Sequence, residues 1–212
     1  MKIFLCFILI ISMSGYSSLS ASQPKTPHTP PATKDASLPL DQIEINDIQT
    51  LEELQALADK GNSDAAARVG DAFLFGPDNI RHTGYALYYL KRASARGHLE
   101  ATEILAGMYL NGNGVDKNAP MAARLYETCS VRGYGPCQFN LGIMYKNGDD
   151  NFPKDPEKAY YWLYKASLNE KTLDAVVYDA AHYRNEIGAE LTQEQRMRVF
   201  DKIYPRHPGI RS

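Results

Sequence analysis

Cysteine is scarce in this chain: three occur in 212 residues, at positions 6, 129 and 137. No Cys-x-x-Cys is present, so dithiol redox chemistry and a cysteine-ligated zinc ribbon both lack their spacing. The five histidines (His28, His82, His98, His182 and His207) stand at no metal-ligand spacing with Asp, Glu or Cys. Charge of one sign is not in excess, with 23 basic against 25 acidic residues. That mixture offers no basic stripe for a phosphate backbone and excludes a nucleic-acid binder. Nucleotide-loop chemistry is missing too: Gly112-Asn113-Gly114 has no preceding strand and no Lys-Ser/Thr ending. No serine sits in a nucleophile elbow. The chain therefore reads as non-enzymatic, with no metal and no cofactor.

Long apolar runs are missing as well. The longest, Ile3 to Met13 after Lys2, is too short to span a bilayer. With the small and polar residues up to Ala21 it predicts a secretory signal peptide over residues 1–21. No cysteine stands at the cleavage region, so a lipoprotein anchor is not expected. Residues 22–41 carry Pro24, Pro27, Pro30, Pro31 and Pro39 and few apolar side chains. That composition predicts a disordered spacer. One domain remains, residues 42–204, followed by a tail over 205–212. The leader places the mature chain in the periplasm or outside the cell.

Within residues 42–204 a unit of about 36 residues recurs. Gly70, Ala106, Gly142 and Ala180 fall in register, each followed three residues later by Phe73, Tyr109, Tyr145 or Tyr183. Gly76, Gly112 and Gly148 come three further on, and Glu186 breaks the series. A period of this length predicts an all-α solenoid of stacked helix pairs, none able to bury its apolar face alone. The repeats run approximately over 62–97, 98–133, 134–170 and 171–204. The second helices start at His82, Asn118, Asp155 and Thr192, and Thr192 with Gln195 forms a capping-box pattern. His82 is the weak member, so that start is expected to shift toward Thr83. Ala86, Ala122 and Ala159 recur inside the second helices, and seven residues on stand Ala93, Cys129 and Ala166. Gly61, Gly97 and Gly133 close the units. A lone opening helix over about Asp47–Lys60 buries Leu51, Leu54 and Leu57. A closing helix over about Gln193–Ile203 turns Met197, Phe200 and Ile203 inward. Asp149 and Asp150 are read as a hydrated loop pair.

Leu141-Gly142-Ile143-Met144-Tyr145-Lys146-Asn147-Gly148, then Asp155-Pro156-Glu157-Lys158-Ala159-Tyr160-Tyr161-Trp162, resembles a Sel-1-like repeat. Ala101 to Tyr126 matches nearly as well, and the resemblance covers about residues 50–190. The family is similar to tetratricopeptide repeats and implies a right-handed superhelix that binds proteins. Cysteine-rich exported members carry a repeat-stapling disulfide at the spacing of Cys129 and Cys137. If the alanines at equivalent positions pack across one corner, these sulfurs also come within bonding reach. A catalytic thiol is the alternative, although no histidine lies nearby in sequence.

The resemblance places ligand-facing positions on the concave side, along the first helices. They are Arg68, Asp71 and Phe75 in the first unit, and Glu103, Ile104 and Asn111 in the second. The third contributes Phe139, Asn140, Ile143, Lys146 and Asn147, and the fourth Val177, Tyr178, Arg184 and Asn185. Amides, aromatics and both charge signs suit a protein surface. The expected role is a periplasmic adaptor that captures a protein partner. An immunity protein against an effector delivered by type VI secretion is the alternative within that class. A β-lactam-binding or hydrolysing protein is the alternative outside it.

Overall fold

The computed structural model describes residues 48–149 and 151–205, and the predicted leader, the spacer and the tail from 206 lie outside them. Nine helices follow one another among the described residues: α1 (Ile48–Asp59), α2 (Ser63–Phe75), α3 (Thr83–Ala95), α4 (Leu99–Asn111), α5 (Ala119–Ser130), α6 (Gly135–Asn147), α7 (Pro156–Ser167), α8 (Asp174–Glu190) and α9 (Gln193–Ile203). From α1 to α8 each packs chiefly on its neighbours in sequence, and α9 rests on α7, which makes the fold an all-α repeat stack.

The small residues in register are buried where helices cross. A methyl group at Gly70 would lie 2.6 Å from Leu90 Cγ, and one at Gly142 would lie 2.7 Å from Leu163 Cγ. Leu90 and Leu163 occupy the same place in α3 and α7, four residues beyond Ala86 and Ala159. In the middle unit that place holds the buried Tyr126, opposite Ala106. Three apolar clusters result, one over α1–α4, one over α4–α7 and one over α6–α8.

Gly61, Gly97 and Gly133 all have positive φ (98°, 85° and 84°), a conformation that closes a helix and that only glycine takes freely. The residue before each later closure reaches one unit back. Arg132 Nη1 donates to the Gly97 carbonyl at 2.6 Å, and Asn169 Nδ2 donates to the Gly133 carbonyl at 2.7 Å. Caps hold at the expected positions: Asn118, Asp155 and Thr192 accept from the third backbone amide of α5, α7 and α9, with the Thr192–Gln195 box complete.

Several details differ from expectation. The start of α3 stays at His82, whose Nδ1 accepts from the Tyr85 amide at 3.2 Å. An imidazole with its proton on the other nitrogen is an adequate acceptor, which the preference for Asn or Ser hides. His98 caps α4 in the same way, through the Ala101 amide. In α1, Leu51 and Leu54 are buried but Leu57 only partly; Ala58 takes the fully buried place. In α9 the inward residue is Val199, while Met197 and Phe200 are 43% and 44% exposed. The reason is that α9 packs on α7, held by Arg198 Nη2 to Glu157 Oε1 at 2.6 Å. Its aromatic face then lies edge-on against Tyr164 at the rim.

Candidate functional site

Cys129 and Cys137 form a disulfide with Cα atoms 5.9 Å apart, joining the end of α5 to the start of α6. Both are fully buried beneath Leu141 and Trp162 in the middle cluster. The bridge fixes α6 against the preceding pair, and α6 carries the centre of the face lined by first helices.

At the far end of α6, Gly148 stops the helix and the chain turns back through a two-way pairing of Asp149 with Phe152. The loop here is one residue longer than its counterpart after Gly112, counted from the glycine to the next cap. The extra length brings Phe152 onto Tyr145, ring centroids 4.9 Å apart. Asp149 is not simply hydrated: its Oδ2 meets Lys117 Nζ at 2.6 Å, which ties this loop to the loop of the unit before.

Between the end of α4, α6 and this loop lies a pocket of about 240 Å³, lined by Leu110, Asn140, Ile143, Met144, Asn147, Gly148, Asp149 and Phe152. Asn140, Ile143 and Asn147 are positions expected on the ligand-facing side; Phe152 was not expected there, and only the lengthened loop signalled it. Asn140 Nδ2 donates to Glu103 Oε1 at 2.9 Å, so Glu103 of α4 stands behind the pocket wall. Burial, then the neighbouring Glu100, hold the Glu103 carboxyl above its ordinary range, and the bond from Asn140 opposes them. Asp71 on α2 is raised by burial and by Glu100, with Arg68 acting the other way. Burial, then the charges of Glu100 and Glu103, push the Tyr134 hydroxyl up to about 12.

The remaining predicted positions divide. Asn111 is exposed on the α4 rim. Lys146 turns away to Glu186 at 3.1 Å and lies 5.1 Å over the Tyr183 ring, and Phe139 packs on the same tyrosine. Arg184 donates to Ser167 Oγ at 2.9 Å and stacks 5.3 Å from Tyr164, which places it at the α7–α8 junction. Tyr178 is 75% exposed, and Arg68 is half-buried with its Nη1 enclosed. The structure thus brings Asn140 and Asn147 together at the pocket, with Glu103 bonded to Asn140 and Asp71 in the field of Glu100 one turn from Glu103, whereas Arg184 belongs to the α7–α8 junction. Chemically the site offers amides, carboxylates and an apolar recess. Among the described residues no group of His, Cys, Asp or Glu is placed to hold a metal ion, and no helix is long and apolar enough to cross a membrane.

A stack of helix pairs with a recessed face along its first helices defines a repeat scaffold. The profile of the Sel1 repeat matches residues 63–98, 100–128 and 135–170, which are the pairs α2–α3, α4–α5 and α6–α7. The chain belongs to the Sel1-repeat family. It is 28% identical over 142 residues to chitin synthase regulatory factor 4 of Schizosaccharomyces pombe, an alignment covering 66% of this chain and 22% of that protein. The chain therefore spans less than a quarter of that relative. Among solved structures, the Sel1 repeat protein from Oxalobacter formigenes superposes with a TM-score of 0.53 at 28% identity, over 59% of this chain and 95% of its own. The SLR-fold protective antigen c5321 of uropathogenic Escherichia coli reaches a TM-score of 0.63 at 24% identity, over 75% of this chain and 32% of its own. Sel1-repeat proteins generally mediate protein–protein interactions and are typically non-catalytic scaffolds.

Proposed function

We propose that this chain is a non-enzymatic adaptor of the periplasm or cell exterior that holds a protein partner on its first-helix face, across the pocket beside Asn140 and Asn147. One observation carries the reading: the recess opens on the side where the repeat presents its first helices, walled by amides and apolar side chains. Its lining includes no serine, threonine or cysteine, which favours binding over β-lactam hydrolysis. The leader-like composition of residues 1–21 supports the location. An immunity protein would be one case of such an adaptor, its partner being a toxin delivered from outside.

The test is a crosslinked pull-down from the native envelope with three baits: the mature chain, Asn147→Arg and Thr128→Arg. Asn147 is exposed at the pocket rim, whereas Thr128 is exposed on α5, a second helix. A partner captured by wild type and Thr128→Arg but lost with Asn147→Arg supports the reading. Its identity as toxin or resident protein separates immunity from a housekeeping role. Capture that ignores Asn147→Arg, or no capture, overturns it. Arg184→Glu would be a poorer test, because it would disturb the contacts to Ser167 and Tyr164.

A further inference from the structure

The pocket is small and its surroundings are charged, and together these narrow what it can hold. Its volume, about 240 Å³, falls below the roughly 300–1,000 Å³ of sites that engulf a small-molecule ligand. The recess accommodates one large apolar side chain, received by Leu110, Ile143, Met144 and Phe152. An apolar side chain delivered singly, with the rest of its bearer outside, is how an extended peptide docks.

The rim supplies the means to hold such a segment. Asn111 and Asn147 share one register, five residues beyond Ala106 and Gly142 on successive first helices, and both are exposed. Side-chain amides carry a donor and an acceptor apiece, the complement of a peptide backbone.

Charge sets the flanking chemistry. Asn140 is a shared wall: it lines the pocket and donates to Glu103. Beyond Glu103 lie Glu100, one turn earlier on α4 and exposed, and Asp71 on α2, open to solvent on one side though its carboxyl is part-enclosed, the two close enough to act on each other. Arg68 stands at the far end beside Asp71, and the nearest lysine on α6, Lys146, is drawn off to Glu186. A carboxylate kept partly buried beside another carboxylate lowers stability, and such arrangements are retained where they serve a ligand.

We propose that this site, which rests on the protein-binding reading above, takes an extended partner segment with one large apolar residue for the pocket and Lys or Arg within a few residues for the Asp71–Glu100–Glu103 stretch. The apolar anchor gives seating and the basic flank gives direction, since the carboxylate at the loop end, Asp149, is paired with Lys117, whereas the α4 side carries Asp71, Glu100 and Glu103. Binding weakens with salt, because part of it is attraction between charges.

The test uses fluorescence anisotropy of labelled ~12-residue peptides on a Gly-Ser background. One carries Phe flanked by two Arg, a second Phe flanked by two Glu, and a third Ala flanked by two Arg. The first is expected to bind at least ~10-fold more tightly than either other, about 1.4 kcal/mol. Asn147→Arg should abolish that binding. Glu103→Gln, which keeps an acceptor for Asn140, should weaken it ~3–10-fold and flatten its salt dependence. Equal binding of the Glu or Ala peptide, or an unchanged Glu103→Gln, overturns the proposal. If none of the peptides binds, the envelope pull-down decides with Glu103→Gln as an added bait. Capture lost with Asn147→Arg but kept with Glu103→Gln refutes the basic segment while leaving the protein-binding reading intact. Capture lost with both supports the proposal, and capture indifferent to Asn147→Arg sinks both.

Discussion

The pair α4–α5 is closed by glycine after each helix, at Gly112 and Gly133, whereas α8 runs 17 residues with Glu186 where its predecessors carry glycine. The overrun adds about one helical turn, roughly 6 Å. In the first three pairs the second helix folds back on its own mate; the last helix, after the overrun, rests mainly on α7. The repeat residues at the crossing are similar in both regions, since Ala180 is as buried as Ala106. The glycine that sets helix length is what differs. Loss of that punctuation ends the regular stack and leaves Phe200 and Tyr204 at the surface.

The disulfide gives the largest handle on this difference. Replacing Cys129 and Cys137 together by Ala should cost about 2–3 kcal/mol in urea unfolding, the chain-entropy value for so short a loop. The same register in the unit before is held by Ala93 and Ala101, both fully buried. Cysteines at those two places should oxidise to a bridge, detectable by thiol titration. At the next junction the register falls on Ala166, buried, and Ala175, exposed. Cysteines there should stay reduced. A bridge forming at Ala166 and Ala175 would show that the fourth unit keeps the regular corner.

Close approach distinguishes the two regions next. Gly142→Ala places a methyl group 2.7 Å from Leu163 Cγ and 3.2 Å from the Leu163 backbone nitrogen, so the helices must part, at about 1–3 kcal/mol. Gly188→Ala in α8 meets only the edge of the Tyr160 ring, at 2.9 Å, and gains helix propensity of about 1 kcal/mol. It should be near neutral by thermal unfolding. Smaller again are the links between units. Asn169→Ala loses bonds to the Gly133 carbonyl and to the buried Gln138, about 1 kcal/mol, and Arg132→Ala, at an exposed site, about half that.

The regular region was legible because each of its rules is local. A small residue, an aromatic three later and a glycine three after that specify crossing, filler and stop within one helix. The bridge was legible because the family spacing and the repeat register agree on Cys129 and Cys137. The inward face of α9 was not, because an amphipathic helix does not say which neighbour it meets. Met197, Phe200 and Ile203 were expected inward; against α7 the buried residue is Val199, and Ile203 is only partly covered. Of the pocket lining, Asn140, Ile143 and Asn147 are positions that the family resemblance carried onto the repeat register. Lys146 and Arg184 have the same register logic, but long cationic side chains choose among aromatic and acidic partners that only the packing reveals. The pocket itself depended on one extra loop residue, visible in the sequence yet meaningless until Phe152 was seen to fold back.

Two glutamates make the last comparison, because acid titration should move them in opposite directions. The folded state raises Glu103, through burial and then Glu100, so its neutral form is the one the fold favours. Its contribution to stability is complete below the ordinary glutamate range, about 4.3, and is lost as pH rises through the raised value. Glu103→Gln keeps the acceptor for Asn140 and removes the charge. It should therefore unfold at a higher temperature than wild type at pH 7, by no more than ~2–4 °C, and the advantage should vanish in acid. Glu157, at the α7–α9 contact, is lowered chiefly by the hydrogen bond from Arg198. Its contribution is present above the ordinary range and disappears as pH falls through the lowered value. Glu157→Gln should be the less stable protein at pH 7 and converge on wild type from below in acid. Thermal melts of the three proteins between pH 3 and pH 8 read both trends together. If Glu103→Gln gains nothing at neutral pH, Glu103 is better solvated than its packing implies, and the first-helix face loses the electrostatic tension attributed to it. If it gains stability while losing the basic peptide, the carboxylate is retained at the expense of the fold for what it binds.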